Sequence, residues 1–364
     1  MGSITDERFR GSIGDLRAFQ KPGLEALKRY VRGELPAFPI SRLVGMRPTE
    51  AVLGKATFTM PITRWLEDGF GLYWGGLYAL FADAPLASAI WTTLPAGKAV
   101  TTSELSLSFV RPMSRKTVNI VGRAETVHSG SQVGLSMIQI TDQDGRMLAF
   151  GSTRCLVSDV RVDPHAAYPA PDLGPADPVD PYLRPAPEDG YFNLQEVLRG
   201  TPIALQQRTV TGEKIFPVWR LTGYRPTLVE DGHVRAVLPS VAWFSNGSPS
   251  IYGGVLAWAA EFTMGAAVYS TLSAGEVFGT LDMHIRFTRP ALVGSGDLTL
   301  TATVSHRGKR LRVSSCNVDN AEGKRVAMAT SSALVIEGGI RELMKGRLPD
   351  EILEGAEGNG DRSG

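Results

Sequence analysis

Trp74-Gly75-Gly76, followed by an apolar run over 77–90 with Asp83 inside it, is the stretch whose reading decides the fold. The pattern returns as Tyr252-Gly253-Gly254, followed by the run 255–269 with Glu261 in the place of Asp83. Each run is long enough for a helix and apolar on most sides, which predicts a buried helix. A carboxylate inside such a helix is costly unless it is paired in the core or put to chemical use. Both uses fit a single acid; an acid at the same position in two copies favours the chemical one.

The step from Asp83 to Glu261 is 178 residues, and the same step aligns much more. It superposes Phe38-Pro39 on Phe216-Pro217, Arg47-Pro48-Thr49 on Arg225-Pro226-Thr227, and Gly97 on Gly275. It also superposes Thr102 on Thr280, Phe109 on Phe287, Arg111-Pro112 on Arg289-Pro290, His128 on His306 and Gly145 on Gly323. No gap is needed between about 38 and 157. A period this long exceeds that of any solenoid repeat, so the chain holds two copies of a whole domain.

Within each copy the expected order is strand, loop, helix and then consecutive strands. In the first copy 57–60 alternates weakly, 101–110 alternates through Leu105, Leu107 and Phe109 and stops at Pro112, and 118–126, 133–141 and 147–157 follow. The turns are Asp142 to Gly145 and Asp319 to Gly323. One long helix beside antiparallel strands is an α+β pattern with the helix on one sheet face. The division expected is an N-terminal helical extension over 1–36, domain one over 37–158, a linker over 159–190, domain two over 191–337 and a flexible tail over 338–364. In the extension Leu24, Leu27, Tyr30 and Val31 lie at helical spacing before Gly33 and Pro36. The stretch 164–187 carries eight prolines, as an extended connection would.

Composition narrows the function. The chain has 364 residues, 43% of them hydrophobic, and a net charge of +1, so it can build proper cores and has no basic surface suited to nucleic acid. Its two cysteines, Cys155 and Cys316, are not equivalent in the repeat, and there are five histidines, which argues against a disulfide framework or a cysteine-rich metal site. Residues 1–10 are polar, without the apolar core of a signal peptide, and no apolar span reaches membrane length. The expectation is a soluble cytoplasmic protein with neither membrane nor nucleic acid as partner.

The ordered set of Gly-Gly, an acid seven residues on, an alternating strand ending Phe-x-Arg-Pro, and a hairpin with Asp/Asn-x-x-Gly resembles the PaaI-like hotdog-fold acyl-CoA thioesterases. It occurs twice, so the chain is similar to a tandem, double-hotdog member of that superfamily. The resemblance implies two hotdog domains paired as an intrachain pseudo-dimer, each a long helix wrapped by an antiparallel sheet. It implies active sites at the junction that hydrolyse an acyl-CoA or acyl-carrier thioester without metal or cofactor, and it leaves a homo-oligomer open.

Thioester hydrolysis needs a polarised carbonyl and an activated water. A helix N-terminus supplies unpaired N–H groups and a positive dipole end, and glycine allows close approach, which makes Gly75 and Gly253 the candidate donors. Asp83 lies eight residues beyond Gly75, about 12 Å along a helix. A carboxylate cannot span that, so the acid serving each glycine is expected from the other copy. Site one then combines Gly75 with Glu261 and Thr280; site two combines Gly253 with Asp83, Thr102 and Asn246. The family pattern also has Asn, then His six residues later, just ahead of Gly-Gly. Asn246 matches the first and Asp68 departs from it; Tyr252 and Trp74 both replace the His. Site two keeps more of the pattern and is expected to be the active one. The pocket is expected to be lined by Phe70, Trp74, Tyr252 and Trp258, with Gly76 and Gly254 giving the substrate its approach to the backbone. Arg111 and Arg289 are expected in strand-end salt bridges rather than on coenzyme A phosphates. Pro85, two residues after Asp83, kinks its helix; that either aims the acid or displaces it. Two rival readings stand: another reaction on an acyl or polyketide-like substrate, and an acyl-ligand binding protein without turnover.

Overall fold

The computed structural model describes residues 2–175, 179–336 and 339. The extension forms α1 (Gly23–Val31), and the first copy opens with α2 (Pro39–Val44). It continues through β1 (Arg47–Val52), β2 (Lys55–Pro61), α3 (Gly76–Trp91), β3 (Lys98–Phe109), β4 (Asn119–Ser129), β5 (Val133–Asp142) and β6 (Met147–Asp159). Two helices, α4 (Leu194–Arg199) and α5 (Pro202–Val210), precede the second copy. That copy runs α6 (Pro217–Thr222), β7 (Arg225–Glu230), β8 (His233–Leu238), α7 (Gly253–Ser270), β9 (Val277–Phe287), β10 (Leu298–Arg307), β11 (Leu311–Asp319) and β12 (Arg325–Ile336).

The duplication reaches the helix caps. α2 ends at Gly45 and α6 at Gly223, both left-handed, with φ of 77° and 67°. Each amide turns back onto a carbonyl of its own helix, which only glycine does there without strain. The edge strands β1 and β7 were not legible as strands, because each carries a proline. Pro48 and Pro226 are tolerated because β1 and β7 have one neighbour each.

All strands join one twelve-stranded sheet in the order β1-β2-β4-β5-β6-β3-β9-β12-β11-β10-β8-β7. The second half of that order mirrors the first. The halves meet where β3 pairs antiparallel with β9, from Glu104 opposite Arg286 to Ser108 opposite Asp282. α3 and α7 lie against the sheet and are buried on nearly every side, as their apolar circumference requires. On the sheet, Ile120, Ala124, Ile138 and Ile140 face the core, and Gly122 leaves room for the Phe81 ring. α3 runs unbroken past Pro85 to Trp91. This is the double-hotdog arrangement expected of the sequence.

The two long helices also meet each other. A Cβ on Gly76 would lie 2.9 Å from the Trp258 carbonyl oxygen, and one on Gly254 2.5 Å from that of Leu80. Gly76 and Gly254 are repeat equivalents, as are Leu80 and Trp258, so the contact is reciprocal. Among the described residues no helix is long and apolar enough to cross a membrane.

Candidate functional site

The close approach of α3 and α7 puts the acid of each helix at the N-terminus of the other. The Gly76 amide donates to Glu261 Oε2 at 2.9 Å, and the Thr280 hydroxyl donates to Oε1 at 2.7 Å. In the other half the Gly254 amide donates to Asp83 Oδ2 at 3.0 Å, and the Thr102 hydroxyl to Oδ1 at 2.5 Å. The threonines reach because β3 and β9 each bulge just beyond them, skipping Ser103 and Leu281 in the register. Glu261 is 1% exposed and Asp83 3%, and neither forms a salt bridge among the described residues. Burial pushes Glu261 up to about 7, against the hydrogen bonds from Thr280 and Gly76. Burial likewise pushes Asp83 up to about 6, against those from Thr102 and Gly254.

The amides taken by the acids are those of the second glycines. Gly76 and Gly254 therefore serve the helix contact and the carboxylates, and neither lines the cavity described below. The amides of Gly75 and Gly253 have no hydrogen-bond partner among the described residues. A Cβ at Gly75 would meet the Phe109 ring at 2.7 Å, and one at Gly253 would meet Asp83 Oδ2 at 2.7 Å.

A cavity of about 270 Å³ opens at the first site, lined by Gly75 and Thr280 together with Phe70, Trp74, Tyr269 and Arg111. Trp74 makes that room. Its indole N–H donates to Asp68, its ring stacks on Phe262 at 4.4 Å, and it occupies the space where a Cβ on Gly265 would sit. Asp68 is fully committed to this loop, accepting also from the Phe70 and Leu72 amides at 2.8 Å each. Burial pushes it up to about 6, with the Trp74 bond pulling the other way. Repulsion of an oxyanion by Asp68, expected from like charge alone, is thus moderated by three donors. At the second site Tyr252 is 5% exposed and packs its ring on Gly254; burial and then the nearby Asp83 charge push its hydroxyl well above the ordinary value, with the Ala84 backbone pulling the other way.

Several expectations need correcting. A cavity opens at site one, although the sequence pattern was fuller at site two. Tyr252 and Trp258 are core residues rather than pocket walls; Trp258 is 2% exposed and packs edge-on against Tyr224. Asn246 sits half-buried in the 245–251 turn and makes no hydrogen bond to Asp83, Gly253 or Gly254 among the described residues. Arg111 has no carboxylate partner among the described residues; it donates to the Met147 carbonyl at 3.1 Å. Tyr269 was missed because it ends an apolar run that reads as core, and Val197 on α4 because that helix lies outside the repeat. Among the described residues no cluster of three or more His, Cys, Asp or Glu could hold a metal ion.

Two segments of the chain, 70–149 and 249–327, match the model of the thioesterase superfamily. Each spans one glycine pair, one buried acid and one bulge threonine. No curated protein matches the chain. A protein assigned as a thioesterase II from Thermobifida fusca is 14% identical with a TM-score of 0.50, covering 83% of this chain and 99% of that one. The tesB protein of Mycobacterium avium subs paratuberculosis is 12% identical with a TM-score of 0.49, covering 86% and 99%. The acyl-CoA thioesterase II of Mycobacterium marinum is 11% identical with a TM-score of 0.48, covering 82% and 98%. At 14% identity the likeness to the Thermobifida fusca protein bears on the fold alone. The doubled domain match makes the chain similar to the thioesterase superfamily, and the mirrored sheet gives it a double-hotdog fold.

Proposed function

We propose that the chain hydrolyses an acyl-CoA thioester at site one, on a composite centre of Gly75 from α3, Glu261 from α7 and Thr280 from β9. The observation that carries this is the coincidence of the large cavity with a free helix-tip amide and a hydroxyl already bonded to a buried acid. In this reading the Gly75 N–H donates to the thioester oxygen as it gains charge. Thr280 Oγ accepts a hydrogen bond from the attacking water, and the water's proton passes through that hydroxyl to Glu261 Oε1. The C–S bond breaks, and the thiolate leaves and takes up the proton that Glu261 gained. A carboxyl near 7 is well matched to that exchange at neutral pH. Arg111, at the cavity and without a carboxylate partner, suits a coenzyme A phosphate. The Asp83–Thr102–Gly254 set is then a structural twin that holds the helices together.

Thiol release from a panel of acyl-CoAs tests this. Glu261→Gln and Thr280→Val are each expected to lower kcat by roughly 100-fold or more, while Asp83→Asn retains most of it. The opposite order would move the chemistry to site two, and tight binding without thiol release from any ester would replace hydrolysis by ligand binding.

A further inference from the structure

Beside the cavity lies a second chamber of about 30 Å³, walled by the rings of Phe192, Phe216, Trp219 and Phe262. Phe70, Trp74 and Tyr269 line both spaces, so one layer of side chains divides them. Three residues on the chamber wall carry polar atoms with no hydrogen-bond partner among the described residues: Gln206 Nε2, Trp219 Nε1 and Tyr269 Oη. Trp219 and Tyr269 are each 5% exposed. A buried donor without an acceptor is costly, and here three belong to residues that line one small space. The indole and the amide nitrogen can only donate, and the phenol can donate as well. Among the described residues no charged side chain lines the chamber, so an anion entering it would lose its hydration without gaining a counter-charge from them.

We infer that this chamber is a distal subsite for the acyl chain, taking a neutral oxygen acceptor such as a ketone. The inference rests on the reading of the adjoining cavity as the acyl site. The chamber is large enough for one carbonyl group or about two waters. An acyl chain whose thioester sits at Gly75 would enter the chamber by turning the Phe70 and Tyr269 side chains aside, and its keto oxygen would accept from a donor on the chamber wall. A plain alkyl chain of the same length would leave them unpaired, and the chamber would discriminate against it.

The test compares kcat/KM of the full-length protein for straight-chain acyl-CoAs and for the corresponding oxo-acyl-CoAs with a ketone next to the chain end. At one chain length the oxo substrate should be preferred about three- to tenfold, the range of a net hydrogen bond. Gln206→Leu and Trp219→Phe should each bring that ratio toward one; the ratio is insensitive to a general loss of activity. No preference at any length, or a preference unchanged in both variants, would overturn the inference. If no ester is hydrolysed, the hydrolytic reading fails on its own. The chamber is then judged by calorimetric binding of the two matching thioether analogues. Tighter binding of the oxo analogue that weakens in Gln206→Leu supports it, and equal binding, with ordered water alone in the chamber, overturns it.

Discussion

Replacing Glu261 by glutamine should stabilise the protein at alkaline pH while abolishing turnover. The carboxyl is held near 7 by burial, against an ordinary value of 4.5. Each unit of such a gap corresponds to about 1.4 kcal/mol, so keeping the ionised form in the core costs about 3 kcal/mol at pH 8. Glutamine still accepts from the Gly76 amide, and the Thr280 hydroxyl can turn to accept from its NH₂, so the contacts survive without the charge. The sign follows from the raised folded value. The neutral carboxyl's contribution is complete below about 4.5, and it is lost as pH rises through about 7. The variant should therefore match its parent near pH 4.5, gain on it up to pH 7, and keep a constant advantage above. With an unfolding entropy of about 2.1 cal/mol/K per residue, 3 kcal/mol over this chain is about 4 °C in Tm. Calorimetric melting of both proteins at pH 5 and pH 8 measures it. Equal melting at pH 8, or the same offset at both values, would refute the idea that an ionised Glu261 strains the core.

Four other outcomes follow from the same geometry. Turnover should rise with pH through an apparent pKa near 7 and level off above, since the base must be ionised; a bell centred below 6 would point to another group. Asp83→Asn should also stabilise at pH 8, by about 3 kcal/mol from its gap between 3.8 and about 6, and denaturant unfolding that shows a loss instead would mean the charge is needed. Arg111→Ala should raise KM for acyl-CoA by about tenfold, the worth of one charge-assisted contact, and leave KM for the matching N-acetylcysteamine ester unchanged; equal effects on both would remove the phosphate role. Gly265→Ala puts a Cβ 2.0 Å from the Trp74 ring, an overpacking worth about 1–3 kcal/mol. Trp74→Tyr should relieve it, so a double-mutant cycle should show coupling, and additive losses would mean the ring does not depend on that slot.

The fold was legible because duplication supplied its own control: each ambiguous strand in one copy had a counterpart 178 residues on. The crossing of acids between halves was legible too, because helix rise alone keeps Asp83 from Gly75. What escaped depends on tertiary space. That Trp74 swings onto Asp68 and into the slot at Gly265 involves a residue nearly 200 positions away, and no local pattern encodes it. The choice of Gly76 over Gly75 as the acid's donor turns on the helix crossing, which brings Trp258 to within 2.9 Å of a Cβ at Gly76. Orphan donors such as Trp219 Nε1 are invisible to sequence, where any buried tryptophan is assumed to find a partner.

Two identical subunits related by a twofold axis must carry identical sites, so a substitution that opens one cavity opens both. Joining the copies in one chain removes that constraint, and the differences here fall where the constraint would have mattered. Asp68 faces Asn246 across the repeat, Trp74 faces Tyr252, and Gly265 faces Ala87. The first site thus has a carboxylate to accept from the indole and a glycine slot to receive the ring, while the second has an amide at Asn246 and a methyl at Ala87 in those places and keeps a smaller ring folded beneath its helix tip. The carboxylate–amide bonds between helices are kept in both halves, because both are needed to join α3 to α7. The clamp is thus present twice, and at site one it is accompanied by a cavity and by a Trp74 ring held between Asp68, Phe262 and Gly265.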